Sequence, residues 1–303
     1  MLVKQTGNLV LTSLHPAAVL SYMVVVVTGA LLLTQPVLLM IIFLAVLISL
    51  LSAGGGLVWV KSVKYFLVMI IMYMIINSLV NNLGATILWP GIALPVLGRV
   101  SVSLEVIVYS LVMALRLLII YSAFILYNFA LDPDRTLSLF AGVFPRSTLL
   151  VALATKSIPY LGQQVRRVAE IQQTRGIQYH NGSFYQRIKN RIPLLKVVFL
   201  SSLEDSFNVG ESIQARAYGS GPRTRYAALS FKLFDHLIMA AALVAALVIA
   251  WSYFKNFGSL HFFPHISGYL LSESILAAGG LIALSLLVPA AVIWGCKRWH
   301  YFM

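Results

Sequence analysis

The chain has 303 residues, of which 60% are hydrophobic and only 10% are charged. Because a soluble domain is roughly half apolar and a quarter charged, this composition excludes an ordinary water-soluble fold and predicts that lipid surrounds most of the chain. The net charge of +13 is typical of cytoplasmic segments that obey the positive-inside bias, and the single cysteine, Cys296, excludes a disulfide framework and a thiolate metal site.

Six apolar stretches are long enough to span, or nearly span, a bilayer, since a transmembrane helix needs roughly 20 residues. The first two are short and close together, so they are either a tight hairpin of full spans or a partly re-entrant pair. The glycines and prolines between the third and fourth stretches predict a small extracytoplasmic cap. The six stretches run approximately from Ala17 to Leu33, Val37 to Ser52, Val63 to Val80, Leu104 to Ala130, Leu233 to Tyr253 and Leu270 to Gly295.

The distribution of lysine and arginine predicts the orientation. If the N-terminus is cytoplasmic, 19 basic residues lie on the inner side and only Arg99 and Lys255 lie on the outer side, with Arg116 inside the fourth span. The positive-inside rule therefore predicts a multi-pass protein of the cell (inner or plasma) membrane with both termini in the cytoplasm. Met1 to Thr12 has no short apolar run with a cleavage site, so we expect no removable signal peptide.

The segment from Leu131 to Lys232 has a different composition, with 14 of the 22 basic residues and six of the nine acidic residues. The predicted fold class is therefore all-α: a polytopic membrane helical bundle with a cytoplasmic helical domain. The predicted division is 1–130 for the N-terminal membrane helices (about four spans), 131–232 for the cytoplasmic domain and 233–303 for the C-terminal membrane helices (about two spans).

Two helices are predicted in the cytoplasmic domain. Apolar residues recur at spacings of three or four in the first helix, which ends near Gly176, and charged residues occupy its other face. The second helix is predicted from Leu194 to Ala217, after a loop from Ile177 to roughly Arg187. The apolar positions of the first helix are Leu161, Val165, Val168 and Ile171.

These two helices share a short repeat, offset by 41 residues: VAEIQQTRG ending at Gly176, and VGESIQARA ending at Ala217. An arginine in the last helical turn is favoured by the helix dipole, so capping alone is one interpretation. Capping requires neither the upstream Glu nor the upstream Gln. Small neighbours would let each helix end enter a partner groove, where the guanidinium can bind a carboxylate with two hydrogen bonds. The matched polar pairs are Glu170/Glu211, Gln173/Gln214 and Arg175/Arg216.

At these residues the chain resembles the transmembrane T component of energy-coupling factor (ECF) transporters, the EcfT or CbiQ family. The resemblance is carried by the motifs Thr174-Arg175-Gly176 and Ala215-Arg216-Ala217, by Leu14-His15-Pro16, and by KSIPYLGQQVRRVAEIQQTRG with the stretch after Ile192. Thr174 and Ala217 depart from the usual Ala-Arg-Gly of this family.

The resemblance implies a cytoplasmic coupling-helix domain and a membrane scaffold without catalysis of its own. It implies two ABC-type ATPase subunits, as a homodimer or heterodimer, whose grooves receive the two arginine-tipped helices. It also implies a separate membrane S component that binds a vitamin or a transition-metal ion. No phosphate-binding GxxxxGK[ST] loop occurs in the sequence, so ATP and magnesium would be used by the ATPases and this chain would bind no cofactor.

Other residues give weaker indications of function. A charge in mid-span must find a partner or water, so Arg116 is either a buried anchor, against Asn77 or a backbone carbonyl, or a transport-linked residue. Glu105 and Asn128 lie at the ends of that span and are expected to be interfacial. His261 and His265 flank Pro264, which argues against helical metal-ligand geometry, and no metal site or catalytic motif is predicted.

The sequence argues against two other functions. A stand-alone secondary transporter would be expected to show repeats among its spans and acidic residues inside them, and the sequence has neither pattern. A membrane-tethered nucleic-acid binder would be expected to interleave aromatic and basic residues, whereas the basic segment is organised as helices that end in arginines. We therefore expect the lipid bilayer and other proteins, and no nucleic acid, as partners.

Overall fold

A computed structural model describes residues 14–80, 86–89, 93–94, 98–99, 102–141, 144–176, 183–221, 231–255 and 272–300. The chain forms two compact units, one of residues 1–136 with 230–303 and the other of residues 137–229. The described helices confirm the predicted helical membrane fold. They are α1 (Pro16–Leu32), α2 (Pro36–Ser52), α3 (Gly56–Val80), α4 (Leu104–Ala130), α5 (Pro133–Phe140), α6 (Pro145–Thr174), α7 (Phe184–Ala215), α8 (Leu233–Phe254) and α9 (Glu273–His300).

Four of these helices, α3, α4, α8 and α9, are long and apolar enough to cross a membrane. The helices α1 and α2 have 17 residues each. At 1.5 Å per residue they extend about 25 Å, less than the roughly 30 Å of a bilayer's hydrocarbon core. These two helices are therefore at the lower limit of length for a full span, and both alternatives for the pair remain open.

The segment between α3 and α4, predicted as a small cap, contains short antiparallel strands. The strand β1 (Ile87–Trp89) pairs with β4 (Val102–Ser103), and β2 (Ala93–Leu94) pairs with β3 (Gly98–Arg99). Glu105, in the first turn of α4 and only 3% exposed, accepts hydrogen bonds from the backbone N–H (3.1 Å) and the hydroxyl (2.6 Å) of Thr86. This buried carboxylate fastens the strand segment to the start of α4.

The core of the first unit lies between α1, α2, α4, α8 and α9. The helix α1 packs on α4 and α8, α2 packs on α4 and α9, and α8 packs on α9. Glycines allow two of these approaches: a Cβ added at Gly29 would lie 2.8 Å from Cδ1 of Ile249, and one at Gly279 would lie 2.6 Å from Cδ1 of Ile41. The fully buried side chains that fill the core include Leu38, Ile42, Ile119, Ile282 and Leu286.

Arg116 contacts the turn between α1 and α2. Its Nη2 donates a 3.0 Å hydrogen bond to the carbonyl oxygen of Leu33, which directly follows α1. Of the two anchors predicted for Arg116, the structure therefore shows the backbone carbonyl, whereas Asn77 donates to the hydroxyl of Ser110 at 2.6 Å. A carbonyl at a helix end inside a membrane needs a donor, and this guanidinium supplies one.

A buried carboxylate joins the starts of α1 and α8. Asp235, with no exposed surface, accepts 2.8 Å hydrogen bonds from the backbone N–H groups of His15 and Lys232. The Nδ1 atom of His15 accepts a hydrogen bond from the N–H of Ala17 at 3.2 Å and so caps α1, while its ring stacks on Phe231. Burial lowers the pKa of His15, and the charge of Asp235 opposes this shift.

The second unit is built on α6 and α7, and α7 begins earlier than predicted. The prediction that the second helix starts at Leu194 is wrong, because α7 begins at Phe184 and continues through Pro193. A capping box starts it: the side chain of Ser183 bonds the backbone three residues on, and the N–H of Ser183 donates to Oε1 of Gln186 at 3.3 Å. The helix α6, for which no start was predicted, begins at Pro145 and continues through Pro159.

Candidate partner-binding site

The first arginine of the repeat directly follows the last residue of α6. Arg175 is the C-cap residue, and its N–H donates to the carbonyl of Gln172 at 3.1 Å. Gly176 has φ +86°, in the left-handed region, and donates to the carbonyl of Gln173 at 2.9 Å. Glycine adopts this conformation without steric cost, which explains its place after the arginine.

The second arginine has the same position at the end of α7. Arg216 is the C-cap residue, and Ala217 has φ +54°. The N–H of Ala217 donates to the carbonyl of Gln214 at 2.8 Å, and the N–H of Tyr218 donates to that of Ile213 at 3.3 Å. These two bonds form a Schellman motif, with an alanine at the position that usually holds glycine.

The two ends are therefore equivalent in backbone geometry as well as in sequence. Each arginine lies one residue beyond the helix, rather than in its last turn as predicted, and is followed by a residue with positive φ. The sequence suggested that a small third residue permits close approach of a partner. The structure adds that this residue must also turn the chain in the left-handed conformation.

The side chains of both ends face outward from the helices. Within the ranges that the structure describes, the guanidinium groups of Arg175 and Arg216 make no hydrogen bond or ion pair. The hydroxyl of Thr174 donates to the carbonyl of Ile171 at 2.7 Å, so it is turned back onto its own helix. The remaining predicted site residues are also exposed: Glu170, Gln173, Gly176, Glu211, Gln214, Ala215 and Ala217.

The helices α6 and α7 meet at a polar contact that sequence patterns did not single out. The amide Nε2 of Gln164 donates to the hydroxyl oxygen of Ser201 at 2.8 Å and to Oδ2 of Asp205 at 3.1 Å. Leu194 and Val198, which precede Ser201 on α7, are buried. The sequence does contain a signal for this contact, because Gln164 and Asp205 are separated by the same 41 residues as the two copies of the repeat.

The described residues contain no cluster of three or more His, Cys, Asp or Glu that could hold a metal ion. His261 and His265 lie outside the described residues, so the prediction about them stays a prediction.

Comparison with known proteins gives the family. Residues 7–226 match the CbiQ family, which is described as cobalt transport protein. The chain belongs to the CbiQ family. The matched residues of this CbiQ chain include both arginine-bearing helix ends, so the equivalent ends belong to the part that carries the family likeness.

Relatives with the name energy-coupling factor transporter transmembrane protein EcfT also match. The protein from Acidaminococcus fermentans is 28% identical over 81% of this CbiQ chain and 94% of its own length. The one from Ruminiclostridium cellulolyticum is 26% identical over 61% of this chain and 70% of its own length. Those from Limosilactobacillus fermentum and Brevibacillus brevis are 25% and 29% identical, but those matches span only 38% and 39% of the relatives' lengths.

Proposed function

We propose that this chain is the membrane scaffold of an ECF-type importer and that α6 and α7 are its coupling helices. The observation that carries the proposal is the pair of exposed arginines at equivalent helix ends in a CbiQ-family chain. Each guanidinium would bind a carboxylate in a groove of one of two ABC-type ATPase subunits. An arginine suits this role because its planar fork donates two parallel hydrogen bonds to a carboxylate.

Movement of the ATPases would then reach the membrane through the two helices. ATP and Mg²⁺ would be bound and used by the ATPases, and a separate membrane S component would bind the substrate, a vitamin or a transition-metal ion. The name of the EcfT relatives and the description of the CbiQ family support a transport role. Purification of the chain from native membranes in mild detergent, followed by identification of bound proteins, tests whether both kinds of partner are present.

The orientation that this function requires has the second unit and both termini in the cytoplasm. The excess of basic residues in the predicted inner segments supports it. Reporter proteins fused after Lys4, after Lys64, within 179–183 and at Met303 should all report a cytoplasmic location. An extracytoplasmic signal from the fusion within 179–183 would contradict the proposal, because the arginines would then face away from ATP.

Stand-alone secondary transport is the alternative, and acidic residues in mid-span would favour it. In the described membrane-unit helices, the acids of α4, α8 and α9 are Glu105, Asp235 and Glu273, each in the first turn of its helix. Two of these carboxylates, those of Glu105 and Asp235, are occupied by hydrogen bonds to backbone N–H groups. No specific observation therefore favours the alternative.

Substitution of the arginines separates partner binding from simple helix capping. The chain is co-expressed with two ABC-type ATPase subunits of an ECF transporter, and the amount of ATPase captured with it is measured. If each arginine binds a partner carboxylate, Arg175→Ala and Arg216→Ala should each cost roughly 2 to 5 kcal/mol, because a desolvated charge is left on the partner. This corresponds to more than about a tenfold loss of affinity. Arg→Lys should restore only part of the binding.

Two exposed arginines outside the motifs provide matched controls. Arg167 lies on α6 and Arg191 lies on α7, and neither is at a helix end. Arg167→Ala and Arg191→Ala remove the same charge and should leave ATPase capture nearly unchanged. Normal capture and normal uptake by the double variant Arg175→Ala/Arg216→Ala would leave helix capping as the better account.

A further inference from the structure

A polar contact joins α6 and α7. Gln164 of α6 donates through Nε2 to both Ser201 and Asp205 of α7, at 2.8 Å and 3.1 Å. All three side chains are partly buried between the helices. The other amide atom, Oε1, is buried and has no partner among the described residues, so Gln164 acts in this contact only as a donor.

This contact joins equivalent positions of the internal repeat. Gln164 and Asp205 are 41 residues apart, the same offset that relates Arg175 to Arg216. Each therefore precedes its arginine by the same number of residues, and each helix forms an arm of about 16 Å between the contact and its arginine. With helix axes about 8 to 10 Å apart, two such arms place the arginine backbones at most roughly 35 Å from each other.

The contact also selects one register of α7 against α6. Residues four apart lie in one row along a helix, and the row that contains both acceptors reads Val197, Ser201, Asp205, Val209. A slide of one helical turn in either direction would bring a valine into the place of one of the two acceptors. The buried amide donor would then lose a hydrogen bond, so other registers are penalised.

We propose that Gln164, with Ser201 and Asp205, is a positioning contact that sets the distance between Arg175 and Arg216. The inference rests on the proposed function, because a fixed separation matters only if both arginines bind at once. A 10° change in crossing angle would change their separation by up to about 3 Å, and a one-turn slide moves α7 by about 5.4 Å. Hydrogen bonds tolerate only a few tenths of an ångström, so the arginine side chains would have to rearrange to follow either change, and simultaneous binding in two grooves would be weakened.

The experiment exchanges the two side chains across the contact. Gln164→Asp places two carboxylates together and should break it, whereas the double variant Gln164→Asp/Asp205→Gln restores a donor opposite an acceptor. Gln163→Asp makes the same chemical change at the neighbouring exposed position and serves as the control. Distances are measured between spin labels at Gln173→Cys and Gln214→Cys, in a Cys296→Ser background, on the full chain without ATPases.

Capture of two co-expressed ABC-type ATPase subunits is measured in parallel on the unlabelled variants. We expect Gln164→Asp to shift the mean distance by about 2 Å or more, or to add a second distance. We expect it to reduce ATPase capture at least roughly fivefold, while the exchanged pair restores both readings. Gln163→Asp should resemble the unsubstituted chain in both measurements.

Two results would overturn the inference, and they differ in meaning. An unchanged distance in Gln164→Asp would show that the contact does not set the geometry. A changed distance with normal capture would show that the geometry does not serve binding. Normal ATPase capture by Arg175→Ala/Arg216→Ala would refute the proposed function and not the positioning role. The distance between the labels is measured on the chain alone, so it tests the positioning role in either case.

Discussion

The strain at Ala217 gives a prediction whose size follows from the structure. Ala217 is the described non-glycine residue with positive φ, at +54°. This conformation costs an L-residue roughly 1 to 2 kcal/mol, and glycine avoids the cost. Glycine also gives the unfolded chain more freedom, which offsets about 0.4 to 1 kcal/mol of the gain. Ala217→Gly should therefore stabilise the end of α7 by about 0.5 to 1 kcal/mol.

Hydrogen exchange on the full chain measures this local effect. The N–H groups of Ala217 and Tyr218 close the Schellman motif, so their exchange reports its opening. The expected gain corresponds to roughly two- to fivefold slower exchange in Ala217→Gly. The reverse change at the first end, Gly176→Ala, should accelerate exchange near the end of α6 by a similar factor, because Gly176 has φ +86°.

A second glycine separates backbone strain from the general effect of replacing glycine. Gly210 lies inside α7 with open space where a Cβ would be. Gly210→Ala should therefore stabilise the helix by about 1 kcal/mol, opposite in sign to Gly176→Ala. If Ala217→Gly leaves exchange unchanged or accelerates it while Gly210→Ala behaves as expected, the argument from left-handed strain is refuted.

Three further predictions concern the membrane unit, and each is checked by thermal unfolding in detergent. Asp235→Asn places an amide NH₂ against a backbone N–H and should lower the free energy of unfolding by about 1 to 3 kcal/mol. The control Glu273→Gln changes an exposed acid and should cost little, so equal stabilities of the two variants would contradict the buried role of Asp235. The pKa of His15 is lowered in the fold, so as the pH falls this histidine is protonated first in the unfolded chain. Stability should therefore fall as the pH drops below about 6.5 and level off below the lowered pKa. His15→Asn keeps a capping acceptor and should lose this pH dependence; its persistence would assign it to another group. Arg116→Met leaves the Leu33 carbonyl without its hydrogen-bond donor and should cost about 1 to 3 kcal/mol of stability, whereas Arg116→Lys should cost less. An unchanged stability of Arg116→Met would show that another donor replaces the guanidinium.

The sequence was sufficient for the elements that depend on local composition. Apolar helices could be located, since lipid requires long apolar runs, and α4 has the predicted bounds Leu104–Ala130, although α3 begins at Gly56 and not at the predicted Val63. The two arginine-ended helices could be found because both arginines lie in a repeat and are followed by small residues. The start of α7 differs from the predicted Leu194, because the capping box at Ser183 begins the helix earlier and the helix continues through Pro193.

Only the tertiary structure decided which distant groups meet. Arg116 bonds a carbonyl 83 residues away, and Asp235 bonds the backbone of His15 across 220 residues. The partners of Gln164 likewise depend on how two helices cross. Helical periodicity and capping signals act over a few residues, so they determine which segments are helices and where those helices end. Contacts between helices depend on the path of the whole chain, so the sequence shows that a charge such as Arg116 needs a partner, and the fold supplies the partner.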